Sequence, residues 1–496
     1  MIHRHVTAVG ARILRGAAVV CVLADLTSVS WAGGFTLTSI GGQRCGMQAN
    51  LGHPDGPTAL VHNPAGLADQ PGVQLYLFVS PAFIDLGLEM QALDPRRFPE
   101  INPRGCGVEG GPACPWPIAN DGYYTHKIRL ERSFGVLPYL GVTTDLGFIS
   151  PRARSVVLSL AIHAPNFYGA YFPEDAPSAY SFIGGMFLVS AATVGGGLRI
   201  NRFISVGANL SYHYMYLSMA QKLSPTNLLT PQGQQPDGMA TLAQMVLGDI
   251  RLDYAGTDHG MGWGASVLLT PVHWFSIGLG YSGATPARFS GDVDLRSLGI
   301  EDADPRTELR KIAGALGYKL PRRLTVEMAI PPALMAGVNV AIGRRFELGV
   351  DMRIWLYNLY HRQTISPIYD SDEKGSEAIT EDSLSRDKNY VVSYQLSVGA
   401  MGRPFRRLPI EFMAGAGYDL SPIPDSTLTL DNPSLSQVKL SVGLRWHVNP
   451  HVRVSTAYMV VMYLPRDVTN SKNHPPTNIR GSGLSHSPAL SLNYRF

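Results

Sequence analysis

The sequence ends in Ala489-Leu-Ser-Leu-Asn-Tyr-Arg-Phe496, a stretch in which apolar and polar side chains alternate. Because the side chains of a β-strand point alternately to its two faces, Leu490, Leu492, Tyr494 and Phe496 would share one face and the polar residues between them the other. An apolar strand face that ends in two aromatic residues is typical of an outer-membrane barrel, where that face meets lipid and its rim carries an aromatic girdle. The stretch therefore predicts an all-β, membrane-spanning barrel.

The composition of the 496-residue chain excludes several other classes. Charged residues make up only 16% and hydrophobic residues 45%. Disordered chains combine high charge with low hydrophobicity, and a helical membrane protein would be more apolar than this chain. The net charge of +3 and the lack of a basic cluster give no indication of a nucleic-acid partner.

The N-terminus is expected to be a secretory signal peptide, residues 1–32. Basic residues lie on either side of residue 10, an apolar run follows over 17–24, and Ser30-Trp31-Ala32 has the pattern of a cleavage site. The alternative is a membrane anchor, but the apolar run is shorter than a spanning helix needs. We therefore expect a mature chain that starts at Gly33 and reaches the outer membrane of a Gram-negative cell.

Alternation recurs along the chain, most clearly over residues 204–216, 346–356 and 438–448. A helix would repeat its apolar residues every three or four positions, not every two. A soluble sandwich would alternate in the same way, so the length of the strands and the form of the termini decide for the barrel. The Gly-rich run 183–198 is interpreted as a strand and not as a membrane helix.

The spacing of these segments predicts about fourteen strands with alternating short and long connections. Such asymmetry is typical of outer-membrane barrels, which have short periplasmic turns and longer outer loops. The predicted long connections are 91–131, 222–255, 290–329, 363–387, 420–435 and 465–485. Residues 33–71 show no alternation, and a wide barrel leaves a lumen that side chains do not fill. We therefore expect 33–71 to form a plug, or hatch, and 72–496 to form the barrel.

Several segments resemble the FadL-type family of outer-membrane transporters for long-chain fatty acids and other hydrophobic compounds. Asn63-Pro64-Ala65-Gly66-Leu67 resembles the family's hatch signature, and Gly33-Gly34-Phe35 its mature N-terminus. Residues 329–337, residues 417–425 and the terminal strand also resemble family segments. The resemblance implies a plugged barrel of fourteen strands that takes up hydrophobic compounds passively. Its partners would be hydrophobic small molecules and the lipid bilayer, and the protein would be a monomer.

The same resemblance implies a route for the substrate. Long outer loops would capture it, a pocket near the mature N-terminus would receive it, and a kinked third strand would let it leave sideways. In this chain the third strand, 155–172, carries Pro165 and Asn166 in its middle. Proline cannot donate to a ladder, so Pro165 predicts a break in pairing that would form the lateral gate. An ordinary bulge without a gate is the alternative.

The candidate substrate-binding residues are Phe35, Arg353 and Arg445. Phe35 is expected to touch substrate near the mature N-terminus, while Asn63, Pro64 and Ala65 are expected to form a turn of the hatch. A fatty acid carrier should offer a basic group to the carboxylate. The fifth strand, 203–219, contains no Lys or Arg, and His213 is its only histidine. The inward-facing basic candidates elsewhere are Arg353, Lys439, Arg445 and Arg453. If none reaches the pocket, a neutral hydrocarbon or other lipid is favoured.

The outer loops carry apolar residues that either capture substrate or pack on one another. Residues 222–247 are rich in Leu and Met, and residues 306–318 are expected to form a short helix with an apolar stripe. Cys106 and Cys114 lie in one Gly/Pro-rich loop, where a disulfide is the preferred interpretation over a metal site, and Cys45 is expected to be buried. No metal or other cofactor is expected.

Two other functions fit the sequence less well. A general diffusion porin would not need a forty-residue hatch or apolar outer loops. A barrel lipid hydrolase would need a nucleophile beside a histidine and an orienting group, and no such motif accompanies the histidines of the predicted strands. The sequence therefore predicts a transporter and not an enzyme.

Overall fold

The computed structural model describes residues 39–102, 111, 113–131, 134–230, 234–300, 305–372, 375–377 and 379–496, and in them it shows a closed antiparallel barrel of fourteen strands. β7 and β8 each consist of two segments. The strands β1 to β14 are, in chain order, Val73–Met90, Phe134–Asp145, Val156–Tyr171, Gly184–Arg199, Ile204–Leu223, Ile250–Val272, Phe275–Ser282 with Thr285–Ser297, Arg323–Ile330 with Ala333–Ile342, Phe346–Trp355, Ser393–Gly402, Ile410–Asp419, Gln437–His447, Val452–Asp467 and Ile479–Arg495.

The barrel closes because β1 pairs with β14 on one side and with β2 on the other. In β14 the apolar residues from Leu490 to Phe496 are exposed on the outer face, whereas Ser491 and Asn493 are buried on the inner face. The same division holds along the other strands that show alternation. The all-β barrel predicted from the terminal strand is confirmed, and so is the strand character of the Gly-rich run, which forms β4.

Helices and minor strands lie in the hatch and in the outer loops. Among the described residues, no helix is both long and apolar enough to cross a membrane. The α-helices α1 to α6 are Gly42–Met47, Ala59–His62, Pro225–Leu229, Gly238–Leu247, Pro305–Ala315 and Glu381–Leu384. The minor strands are Ile128–Arg129, Tyr318–Lys319, Arg362–Gln363, Ile365–Ile368, Ser376–Glu377 and Arg386–Asp387.

Several strands run further into the outer loops than the sequence predicted. β6 begins at Ile250, β7 extends to Ser297, and β8 begins at Arg323. In these extensions the outer face carries charged residues, such as Asp292, which is 94% exposed. The ladder continues there although the apolar pattern has stopped, because the strands project past the lipid into water. The predicted connections 222–255, 290–329 and 465–485 are therefore too long.

The described part of the hatch, residues 39–71, lies inside the barrel. Helix α1 contacts β10 to β14, while the 3-10 turn Pro64–Asp69 contacts β3 to β6 on the opposite wall. The segment therefore crosses the lumen and separates it into two levels. A small apolar core joins the hatch to the wall. A larger core of apolar residues fills the outer end of the barrel beneath the loops.

Candidate functional site

A buried ion pair fixes the hatch to the barrel wall. Arg44 of α1 donates to Asp351 of β9 at 2.6 Å, and the two side chains are 2% and 1% exposed. The same carboxylate accepts the backbone N–H groups of Asn50 at 2.8 Å and Leu51 at 3.1 Å. Breaking such a pair is costly because it leaves a charge buried without a partner. Asp351 therefore serves as the main polar anchor of the turn that follows α1.

A second ionic cluster accounts for Arg445, one of the predicted substrate-binding residues. Arg445 pairs with Asp55 of the hatch and, at 3.2 Å, with Glu411 of β11. Arg453 also reaches Asp55, at 3.4 Å. Burial alone would raise the pKa of the Asp55 carboxyl, but the two guanidinium groups outweigh it and hold the pKa below its ordinary value. Arg445 therefore holds the hatch, and Lys439 is likewise engaged, with Asp419 at 2.5 Å.

The predicted hatch turn at Asn63, Pro64 and Ala65 packs directly on the wall. Asn63 donates from Nδ2 to the carbonyl of Leu51 at 2.7 Å, and the N–H of Ala65 donates to Ser266 of β6 at 2.9 Å. Pro64 lies on a glycine of β5, since a Cβ added at Gly207 would be 2.2 Å from the Pro64 carbonyl carbon. These contacts agree with a structural role for the turn.

A cavity of about 130 Å³ lies between the hatch and the wall. It is lined by both predicted gate residues, Pro165 and Asn166, and by Arg353, one of the predicted substrate-binding residues. Ile40, close to the start of the described chain, also lines it. The cavity therefore joins the predicted side opening to the region where the hatch begins. Its lining mixes apolar and polar groups, among them His62, His163, His213 and Trp355.

Arg353 is the cation of this cavity. Its Nη2 donates to Nδ1 of His62 at 3.0 Å, and the other ring nitrogen of that histidine, Nε2, lies 2.6 Å from the carbonyl of Ile40. Because a carbonyl only accepts, Nε2 carries the proton and Nδ1 is the acceptor. Within the described chain no carboxylate forms an ion pair with Arg353, and its Nε has no hydrogen-bond partner. Arg353 is therefore the inward basic residue that an acidic ligand could reach.

The third strand is broken where the sequence predicted. Pairing between β2 and β3 runs from the pair Asp145–Val157 to the pair Tyr139–His163. No further pair joins these strands in the described residues. Toward β4 the register shifts by one residue between His163 and Asn166, which places Pro165 in a bulge. Beyond this point β2 continues to pair with β1 alone. The wall is thus unpaired between β2 and β3 beside the cavity.

The outer loops divide into a packed and an exposed part. Helix α5 buries Leu309 and Ala313 against the neighbouring loops, so its apolar stripe serves packing. Helix α4 shows the opposite arrangement: Leu242 and Met245 are exposed, and Met245 is 79% exposed. Packing therefore accounts for the stripe of α5, whereas capture by the exposed residues of α4 stays a prediction.

Three sequence predictions lie wholly or partly outside the described residues: the signal peptide 1–32, the substrate contact of Phe35 and the disulfide between Cys106 and Cys114. All three stay predictions. Cys45 is buried as expected. The sequence places His163 and His213 in predicted strands but does not show that they share a cavity, because only the pairing of β3 to β5 brings them to one side of the lumen.

Comparisons with known proteins point to one family. A family model described as outer membrane protein transport protein (OMPP1/FadL/TodX) matches residues 147–496, more than half of the chain. No curated protein sequence matches significantly.

Solved structures share the fold at low sequence identity. A Pseudomonas aeruginosa FadL homologue superposes with a TM-score of 0.72 at 17% identity, covering 93% of this chain and 100% of that one. The P. putida toluene transporter TodX gives 0.64 at 15% identity, with 93% and 99% covered. The CymD monoaromatic hydrocarbon channel gives 0.59 at 16% identity, with 93% and 99% covered. At these identities the likeness concerns the fold.

Proposed function

Since the chain belongs to the OMPP1/FadL/TodX family of outer membrane transport proteins, we propose that it takes up long-chain fatty acids or similar hydrophobic compounds passively. The outer loops capture the compound, the cavity beside the hatch receives it, and the unpaired wall at β3 releases it sideways. The observation that carries the proposal is the cavity itself, which contacts both the hatch and the break at Pro165.

Side exit suits an apolar cargo. A hydrophobic molecule gains nothing from an aqueous channel, whereas a path along apolar walls into lipid keeps it out of water. The hatch supports this route because ionic anchors and close backbone contacts hold it inside the lumen, so that the lumen is not an open aqueous channel. Such filling argues against a general diffusion porin.

The cavity favours a cargo with a polar end. Arg353 would pair with a carboxylate there, replacing its contact with His62. His62 also donates from Nε2 to the carbonyl of Ile40, so this contact connects Arg353 to the start of the described hatch. Toluene and monoaromatic hydrocarbons, the substrates named for the TodX and CymD structures, lack such a group, so the polar lining supports a fatty acid over a neutral hydrocarbon.

Capture is assigned to α4. Its exposed residues form an apolar patch on the outer loops, and exposed patches of this kind commonly serve interactions. The patch consists of Met239, Leu242, Met245 and Val246.

The test is uptake of radiolabelled oleate and radiolabelled toluene by Gram-negative cells that lack their own carrier. Cells that carry the wild-type protein should take up oleate faster than cells with an empty vector. Deleting Pro165 removes the extra residue of the bulge, and we expect slower oleate uptake from a barrel that still shows heat-modifiable mobility on gels. Equal uptake with and without the wild-type protein would overturn the proposed function; unchanged uptake in the deletion variant would overturn the role of β3.

A further inference from the structure

The wall has a second break, between β6 and β7. Pairing holds from Ile250 and Ser297 to Thr257 and Ser290, and it resumes at Gly264 and Ser282. Next to Gly264, the N–H of Gly283 still donates to the carbonyl of Trp263 at 2.9 Å. Between this bond and the pair of Thr257 with Ser290, residues 258–262 and 284–289 lie opposite each other without a regular ladder. A bulge displaces one residue, so this interval is too long to be one.

Local chemistry explains why the ladder fails there. Pro286 lies in the unpaired part of β7 and has no N–H to donate, as Pro165 has none in β3. Beside it, the N–H of Arg288 bonds to the carboxylate of Asp258, a side chain, instead of a ladder carbonyl. On its other edge β7 still pairs with β8, from Thr285 and Ile330 onward. In this interval β7 therefore has a regular ladder on one side only.

Both breaks open on the same level of the barrel. His163 pairs with Ala191, Ala191 with His213, and His213 with Gly260. This one row of residues leads from the last pair before the β3 break to the middle of the β6–β7 break. Strands β3 to β6 thus form a four-strand panel that is flanked on each side by an unpaired edge.

The cavity described above reaches the second break. Gly262, Gly283 and Thr285 line it together with Pro165. So does Trp263, although its side chain belongs to the lipid-facing side of β6 and is 50% exposed. A cavity that is lined by His62 on the lumen side and by an outward tryptophan extends into the wall itself.

The break is lined by glycines, and neighbouring side chains fill the space beside them. A Cβ added at Gly260 would lie 2.8 Å from Cγ2 of Thr285, and one added at Gly262 would lie 2.6 Å from Cε1 of His213. A Cβ added at Gly283 would lie 2.4 Å from Nε1 of Trp263, so the indole lies over this glycine. Trp263 also contacts Tyr281, with ring centroids 5.3 Å apart. Trp263 therefore covers the lipid side of the break.

We propose that the β6–β7 break is a second lateral portal of the same cavity, through which a hydrophobic molecule exchanges with the membrane. The proposal rests on the uptake function proposed above. It predicts two exits, one at each edge of the four-strand panel, and Trp263 covers the second.

A reversible cross-link tests the portal. A Cβ built at Gly260 would lie 2.8 Å from Cγ2 of Thr285, so Gly260→Cys with Thr285→Cys places two thiols across the break. The pair is made in the wild-type protein and in the Pro165 deletion, and bond formation is verified by mass spectrometry. Gly260→Cys alone and the wild-type protein, each with and without reductant, are the controls.

Oleate uptake by whole cells is the measurement. We expect the Pro165 deletion to retain part of the uptake, and the oxidised cross-link in that background to lower uptake to the level of cells without the protein. Reductant should restore the retained part, which shows that the barrel is intact. Where the cross-link does not form, Gly283→Leu fills the same opening, and we expect it to act like the oxidised pair.

Two results would overturn the portal while leaving the uptake function in place. One is a complete loss of uptake on deleting Pro165 alone in a folded barrel. The other is unchanged uptake on closing the β6–β7 break in both backgrounds. Absence of uptake by the wild-type protein would instead overturn the proposed function and the portal with it.

Discussion

Arg44 of the hatch and Asp351 of the barrel wall form an ion pair of 2.6 Å that is almost entirely shielded from water. The two residues are 307 positions apart in the sequence, and the contact also orders the backbone of Asn50 and Leu51. The hatch is therefore held by specific bonds to the wall.

Replacing Asp351 with Ala should loosen the hatch. The change leaves Arg44 buried without its counter-charge, which typically costs about 3–5 kcal/mol. We expect larger and noisier ion conductance in planar bilayers, because water enters where the hatch has moved. Asp292→Ala removes an exposed partner of Arg323 and is the matched control. Wild-type conductance in Asp351→Ala would contradict the anchoring role.

A single methyl group on the wall should disturb the same segment. A Cβ added at Gly399 of β10 would lie 1.8 Å from the carbonyl oxygen of Met47, too close for either to remain in place. Gly399→Ala should destabilise the protein by about 1–3 kcal/mol, as overpacking usually does. Gly87→Ala, at a strand position with open space, is the control. Thermal unfolding in detergent measures both, and equal midpoints would show that the hatch does not press on this wall.

Arg353 should distinguish acidic from neutral cargo. A hydrogen bond to a charged group contributes about 1.5–3 kcal/mol, so Arg353→Met should weaken oleate binding by about tenfold or more. Toluene binding should change little, because toluene has no group for the guanidinium. Arg445→Met is a poor substitute, since Arg445 already pairs with Asp55 and Glu411. Binding measured by calorimetry that falls equally for both ligands would indicate general damage to the cavity.

The exposed face of α4 should matter most when substrate is scarce. Changing Leu242 and Met245 to Gln removes apolar contact area without altering the cavity. We expect a higher substrate concentration for half-maximal oleate uptake and an unchanged maximal rate. Phe148→Gln, which alters an exposed apolar residue between β2 and β3, is the control. An unchanged concentration dependence would remove α4 from the capture step.

The sequence predicted the elements whose signals are local. The terminal strand, the fourteen-strand count and the break at Pro165 all follow from alternation or from the missing N–H of proline. The extended outer ends of β6, β7 and β8 were missed because charged residues replace the apolar pattern there while the ladder persists.

Features that depend on distant residues could not be predicted. Alternation places Arg353 and Arg445 on the inner face alike, but only the position of Asp55 in the hatch shows which one is already paired. The sequence of β6 does not indicate the β6–β7 break, because its alternation continues through Met261 and Trp263 although the pairing with β7 is interrupted there. Pro286 was the available signal, and it has the same meaning as Pro165.

The central claim is that hydrophobic molecules pass through the cavity beside the hatch. A long-chain fatty acid that carries a photoactivatable diazirine near its methyl end tests it, with irradiation in intact cells and identification of labelled peptides by mass spectrometry. The account predicts label on peptides that contain Pro165 and Trp263, with less label in Arg353→Met. Label confined to the loops and the lipid-facing surface away from the cavity, unaffected by Arg353→Met, would contradict it.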